Sequence, residues 1–283
     1  MANVFVVTTG NSIRGVDRKD PDTRKWADTR KWAEAHGLDL DEVARALRET
    51  RPPSFNSRQP MPDLVGARVI CAEIQSMFAE GAPHPMPGDR VILISSDTDR
   101  GRMSAAAVAG FLGGPIRTSM STDWPTAASR RPEEKDDGAW DGGLDVDIVT
   151  IESMNPMGAH FHNVSDGLAR VLVGAYRSAA GSELCVHAMG GFKVSLPFLL
   201  TMSRHLPNVD DVRFSAWATY EKANVGIRLP VIREGIPDSL ELSLRYAADG
   251  TTPQDSRWRT YAWDNVEDRV ELTPLGRALL HLL

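Results

Sequence analysis

Cysteine is nearly missing: the 283-residue chain carries only Cys71 and Cys185, each inside an apolar run. Two such residues exclude a disulfide scaffold and a cysteine-built zinc module, and they fit buried reduced thiols. Long apolar stretches are missing too, since no window approaches the ~18 uninterrupted apolar residues of a membrane span. The opening "MANVFVVTTGNS" has no basic flank ahead of a long apolar core, so no signal peptide is expected and a cytoplasmic setting follows. Positive charge is not in excess: 32 Lys and Arg stand against 38 Asp and Glu, a net charge of -6. There is no global attraction to nucleic acid, and any polyanion must be bound locally. The familiar nucleotide fingerprints are also lacking. Gly10 and Gly15 do not make G-x-G-x-x-G, and no GKS or GKT follows the first turn.

What is present describes an ordinary globular protein, with 42% apolar and 25% charged residues. The length suits a main domain with a small appendage. Three apolar runs read as buried parallel strands: "NVFVVTT" (3–9), "RVILISS" (90–96) and "ELCVHAM" (183–189). "VDIVTIE" (146–152) and "VRFSAWATY" (212–220) are weaker candidates. Segments with helical character alternate with them at 39–50, 67–81, 101–114 and 164–181. That alternation predicts an α/β fold, a doubly wound mainly parallel sheet whose ligands sit outside the carboxyl ends of the strands. Two regions interrupt it: DTRKWA repeated in tandem at 22–33, and a segment rich in Pro, Gly and charge at 122–143. The ending "RVELTPLGRALLHLL" combines a short strand with an apolar helix. It gives a boundary near residue 232, with 233–283 as a small α+β subdomain of winged-helix-like appearance.

The turns after the strands carry the chemistry. Thr9, Gly10, Asn11 and Ser12 offer backbone amides and neutral donors to a phosphate or ribose, although a plain capped turn would look the same. Ser96, Asp97 and Thr98, in "SSDTDRGR", are good helix caps next to Arg100 and Arg102. A helix start beside arginines also suits a phosphate. In "HAMGGFK", Gly190 and Gly191 allow close approach of a ligand, while Lys193 stands near a helix start, where its charge opposes the helix dipole. An anion would neutralise both. His187, at the end of an apolar run, is a general acid-base candidate or a hydrogen-bonded structural histidine.

Together "VVTTGNS", "CAEIQSM", "LISSDTDRGRMSAA" and "GGFK" resemble the CRISPR-associated Rossmann fold (CARF) family, most closely its ring nuclease branch. That branch has turns of the type T-x-G-T-S, L-x-S-D-T-x-x-G-R and N-x-T-G-G-F-K, and a helix S-A-E-L-N-S-L. The likeness runs in order over most of residues 1–230. It implies a Rossmann-like domain over 1–232 that forms a homodimer and binds a cyclic oligoadenylate across the dimer axis, with no cofactor and no metal. It further implies that Ser12 and Lys193 support cleavage, and that Thr9, Gly10, Asn11, Arg14, Ser96, Asp97, Thr98, Gly190, Gly191 and Phe192 contact the ligand. Glu73 and Gln75 match the helix motif, where contacts at the dimer or pocket rim are expected. His187 and Met189 depart from the family pattern, as does Asn11 in place of Thr. The implied activity is a ring nuclease that opens cyclic tetra-adenylate and so ends type III CRISPR signalling. The alternative is a sensor that binds the ring uncut and acts through its carboxy-terminal segment. An attached ribonuclease with an R-x4-6-H motif is disfavoured, because only three residues separate Arg277 from His281 and the permitted Arg30 to His36 spacing falls in the amino-terminal insertion.

Overall fold

A computed structural model describes residues 2–10, 72–112, 116–124, 144–154, 161–188, 195–207, 211–219 and 225–283. The expected helix at 39–50, the DTRKWA repeat and the segment from 125 to 143 lie outside the described residues. Seven strands form one sheet: β1 Val4–Thr8, β2 Arg90–Ser96, β3 Ile116–Met120, β4 Asp145–Ile151, β5 Glu183–His187, β6 Arg213–Thr219 and β7 Gly226–Leu229. Their order is β3-β4-β2-β1-β5-β6-β7, and every neighbouring pair is parallel except β6 with β7. All five residues of β1 and all seven of β4 are buried, the pattern of strands covered on both faces.

The helices are α1 Ala72–Met77, α2 Asp99–Leu112, α3 Phe161–Ser178, α4 Ser195–Arg204, α5 Asp238–Ala248 and α6 Pro274–Leu280. Alternate strand residues, Val4, Val6, Ile92, Ile94, Val149, Ile151, Leu184 and Val186, join Leu168 and Leu172 of α3 and Leu199 and Met202 of α4 in one apolar cluster. The intervening residues, such as Phe5, Val7, Val91 and Leu93, are buried as well, and α1 and α2 pack on the sheet outside that cluster. The fold is the expected Rossmann-like doubly wound α/β sheet. One expectation needs correcting: the helix read as running to Gly81 ends at Met77, and Gly81 is a left-handed turn residue (φ 81°) four positions later.

At the amino-terminal end of the sheet the polar groups close on one another. Arg90 Nε donates to Asp147 Oδ2 at 2.6 Å, Arg117 Nε donates to Asp147 Oδ1 at 2.8 Å, and Arg117 Nη2 lies 2.7 Å from Asp145 Oδ1. Asp89 accepts from the amides of Asn3 and Met86 at 2.7 and 2.9 Å. Paired in this way, charges can be buried at tolerable cost.

The carboxy-terminal part consists of α5, a 3-10 turn at Ser256–Trp258, the hairpin β8 Trp263–Val266 with β9 Arg269–Leu272, and α6. Leu240, Leu244, Ala262, Trp263, Ala278 and Leu279 from this part belong to the same apolar cluster as the sheet. Thr273 caps α6 by accepting from the Gly276 amide at 3.0 Å, with Pro274 at the first helical position. Gly276 must be glycine, because a Cβ there would collide with the Ala262 carbonyl oxygen. The two-residue hairpin turn is made by Glu267 and Asp268, both at positive φ (48° and 62°), where glycine or asparagine is the usual choice.

Candidate functional site

β1 lies between β2 and β5. After β1 the chain builds the β2-β4-β3 side, and after β4 it crosses to β5 on the other side. The strand order therefore reverses between β1 and β5, and in open α/β sheets the ligand crevice opens at the carboxyl ends flanking such a reversal. Val7 of β1 pairs with His187 of β5. The first turn and the glycine turn leave the sheet side by side at that point.

Thr9 closes β1 against β2, its amide and its Oγ1 both donating to the Ile94 carbonyl at 2.8 Å. The next amide, that of Gly10, donates to Glu73 Oε1 on α1 at 2.7 Å. Two expectations change here. The Gly10 amide is engaged by a carboxylate rather than open to a phosphate, and Glu73 is not at a rim, being only 1% exposed. Gln75 lies on the same helix, its side chain outside the described part.

The second turn is tied to itself. Thr98 Oγ1 accepts from the Gly101 amide at 3.1 Å and is 2.8 Å from Ser96 Oγ, which makes Thr98 the cap of α2. Gly101 allows the close approach of α2 to β2, because an added Cβ would run into Ser96 Oγ and its carbonyl. Arg102 Nη1 donates to the Asp97 carbonyl at 2.8 Å, so at least part of its guanidinium serves the turn. Asp97 Oδ2 accepts from the amide of Ser153 at 2.8 Å, while Oδ1 is buried with no hydrogen-bond partner. Ser153, at the carboxyl end of β4 with φ 60°, was not singled out by sequence reasoning. Nothing in "IESMNP" distinguishes it, since its role is set by a partner 56 residues away.

The end of β5 buries its histidine. His187 is fully buried and stacks on Phe5 at 6.0 Å between ring centroids, and neither ring nitrogen has a well-aligned hydrogen-bond partner among the described residues. Burial pushes its pKa down to about 4, with the nearby backbone of Ser76 and Pro83 opposing the shift. His187 is thus a neutral, sealed core group with the backbone of Ser76 and Pro83 as its weak polar partners, and it is not placed for acid-base work. Beside it on β6, Trp217 Nε1 and Thr219 Oγ1 are also buried without partners. Cys185 is a free buried thiol, 3.3 Å from Ser215 Oγ, and burial pushes its pKa up to about 12.

Asn11, Ser12, Arg14, Met189, Gly190, Gly191, Phe192 and Lys193 lie outside the described residues. α4 begins at Ser195, two residues after Lys193. Among the described residues no group of three His, Cys, Asp or Glu is arranged to hold a metal ion, and no helix is long and apolar enough to cross a membrane.

The carboxy-terminal part, residues 233–283, has six arginines against nine acidic residues. Arg245, Arg257 and Arg259 pair with Glu241, Asp255 and Asp264, and Arg233 donates to the Pro207 and Val212 carbonyls. Arg277 lies 4.0 Å from Glu271, whereas His281 lies 3.9 Å from Asp166 on α3, so these two do not converge.

Comparison with known proteins agrees with the motifs. No curated protein matches the chain. The family model described as CRISPR-associated protein (Cas_APE2256) matches residues 68–231, more than half of the chain, from just before α1 to just after β7, with β1 and the first turn lying ahead of the matched stretch. The chain belongs to this CRISPR-associated, CARF-containing family.

Proposed function

We propose that the protein is a ring nuclease: a homodimer that binds a cyclic oligoadenylate, foremost cyclic tetra-adenylate, over the carboxyl ends of β1 and β5 and opens it. The observation that carries this reading is the switch point between β1 and β5, from which the first turn and the glycine turn both depart. Chain connectivity limits where the catalytic candidates can be. Ser12 follows Gly10 by two residues and Lys193 precedes Ser195 by two, so each Cα is within about 7 Å of a described backbone atom.

The chemistry is a transesterification within the ring. A ribose 2'-oxygen attacks the adjacent phosphorus, the P–O2' bond forms and the P–O5' bond breaks. The 2'-proton passes to solvent, the departing 5'-oxygen takes up a proton, and a 2',3'-cyclic phosphate remains. Two such cuts turn cyclic tetra-adenylate into linear di-adenylate. The protein has to hold the attacking oxygen in line and stabilise charge on the phosphoryl oxygens. Lys193 supplies that charge and Ser12 positions the ribose or phosphate. With no acid-base pair in these roles, turnover is slow.

Incubation of the pure protein with cyclic tetra-adenylate in EDTA, followed by chromatography, tests this. Linear di-adenylate ending in a cyclic phosphate is the expected product, and tight binding of an intact ring would instead identify a sensor. The paired arginines of the carboxy-terminal part speak against a sensor that acts by contacting DNA, since few of them remain for phosphates. Lys193→Ala is expected to lower the cleavage rate ~100-fold or more, the scale of a lost oxyanion-type donor, with Ser12→Ala somewhat milder. A Lys193→Ala protein that cuts at the wild-type rate sinks the assigned role.

A further inference from the structure

We infer that Glu73 is a positioning residue for the proposed reaction, the strut from which the first turn of the crevice is hung; the inference rests on the ring nuclease reading. Its carboxylate sits where an ionisable group is costly. The residue is 1% exposed, and burying a carboxylate is unfavourable unless strong hydrogen bonds compensate. A six-residue helix gives little in return, because an acid in the first turn gains only a fraction of a kcal/mol from the helix dipole. Among the described residues the carboxylate holds the Gly10 amide, 63 residues away, through a 2.7 Å charge-assisted bond. Gly10 is the last described residue of the first turn, and Ser12 is two residues further on.

The rest of α1 explains why the strut is firm. Met77 is fully buried, Ser76 Oγ donates to the Glu73 carbonyl at 2.8 Å, and the helix packs against β1, β5 and β6. α1 therefore spans the two strands whose turns flank the crevice. Thr9 is already locked to β2 by two bonds to Ile94. With the next amide turned toward Glu73, the peptide plane at Gly10 is fixed. The first turn therefore starts from an anchored peptide, two residues ahead of Ser12. Glu73 does not touch the ligand; it acts by orienting the turn.

The test uses the full chain and three variants, assayed with cyclic tetra-adenylate for cleavage rate and for Kd separately. Glu73→Gln keeps an acceptor oxygen at the same reach and is expected to stay within about threefold of wild type. Glu73→Asp keeps the charge but withdraws the oxygen by one methylene. Glu73→Asp and Glu73→Ala are both expected to lower the cleavage rate 10- to 100-fold while Kd changes less than threefold. Amide hydrogen exchange of the peptide containing Gly10 is a readout independent of ligand. Its protection should fall in the Asp and Ala variants and persist in Gln. Should Ala fail to fold, Asp and Gln decide the matter between them. The inference is overturned if Asp behaves as wild type while Gln fails, since charge rather than the bond to Gly10 would then matter. It is equally overturned if every variant cuts normally. If the wild-type protein binds the ring without cutting it, the nuclease reading fails, and Kd takes over as the readout, rising tenfold in Asp and Ala but not in Gln if the strut is real. If it does not bind at all, the whole function reading fails, and the role of Glu73 for that ligand falls with it, whatever Gly10 exchange reports.

Discussion

The two ends of the sheet are built on opposite plans. At the amino-terminal end Arg90, Arg117, Asp145 and Asp147 pair as opposite charges across three strands, although Asp145 Oδ1 is met by the ion pair to Arg117 rather than by a hydrogen bond among the described residues. At the carboxyl end Asp97 Oδ1, Trp217 Nε1 and Thr219 Oγ1 are buried with no hydrogen-bond partner among the described residues. A closed polar network contributes stability and specifies register, whereas orphaned polar atoms cost stability and are retained where something else requires them. The contrast separates the charge-paired end of the sheet from the end at which the proposed crevice opens.

Removing the shared carboxylate of the closed end should give the largest effect. Asp147→Ala leaves the largely buried Arg90 and the partly exposed Arg117 without their common partner, Arg117 keeping only Asp145, and a loss of about 3–4 kcal/mol in chemical denaturation is expected. Ring binding by the protein that remains folded should be unchanged. If binding falls in step with stability, the two ends are not independent.

Acid should act at the other end. The unfolded His187 imidazole takes up a proton near pH 6.5 and the folded one only near 4, so stability present above pH 6.5 is lost as pH falls between these values, by roughly 3 kcal/mol in all. His205 and His281, also pushed down by burial, add in the same direction. His187→Phe removes the largest share of this acid sensitivity and keeps the stack on Phe5. Denaturation at pH 7 and pH 5 measures it, and an unchanged difference between the two pH values would move the acid sensitivity to another group. Ring affinity at pH 7 should be unaltered, because the imidazole is sealed from the crevice.

A third change lies at neither end and sets the scale of a purely local effect. Asp268→Gly in the β8-β9 turn relieves a left-handed residue. The relief of ~1 kcal/mol, less the added freedom of the unfolded chain, leaves a gain of about 0.5 kcal/mol. A rise of a few degrees at most in the melting temperature, without change in cleavage, is expected.

How much of this is legible in the sequence follows from the range of each interaction. Buried parallel strands such as "VFVVT" and "RVILISS" announce themselves in a handful of consecutive residues, whereas the switch point between β1 and β5 depends on the spatial order of the strands and is seen only in the fold. β3, "IRTSM", escapes notice because it is a half-exposed edge strand without an apolar run. α5 is hidden similarly, its buried Leu240, Leu244 and Ala247 interleaved with charged and exposed positions. At the site, the turns are readable but their internal bookkeeping is not. The bonds from Gly10 to Glu73 and from Ser153 to Asp97 join residues 63 and 56 apart, and no local pattern encodes them. His187 illustrates the same limit: a histidine ending an apolar run can be satisfied or orphaned, and only the packing around Phe5 decides.

The common cluster that joins α3 to Leu240, Trp263 and Leu279 bears on how this protein could be engineered. The last fifty residues are not a portable module. Cutting the chain after residue 232 would strip the outer surface of α3 and expose apolar side chains to water, so a transplanted or replaced carboxy-terminal segment must bring its own matching seam. Messages from the crevice to that segment would have to pass as shifts of a shared core rather than as the swing of a hinge.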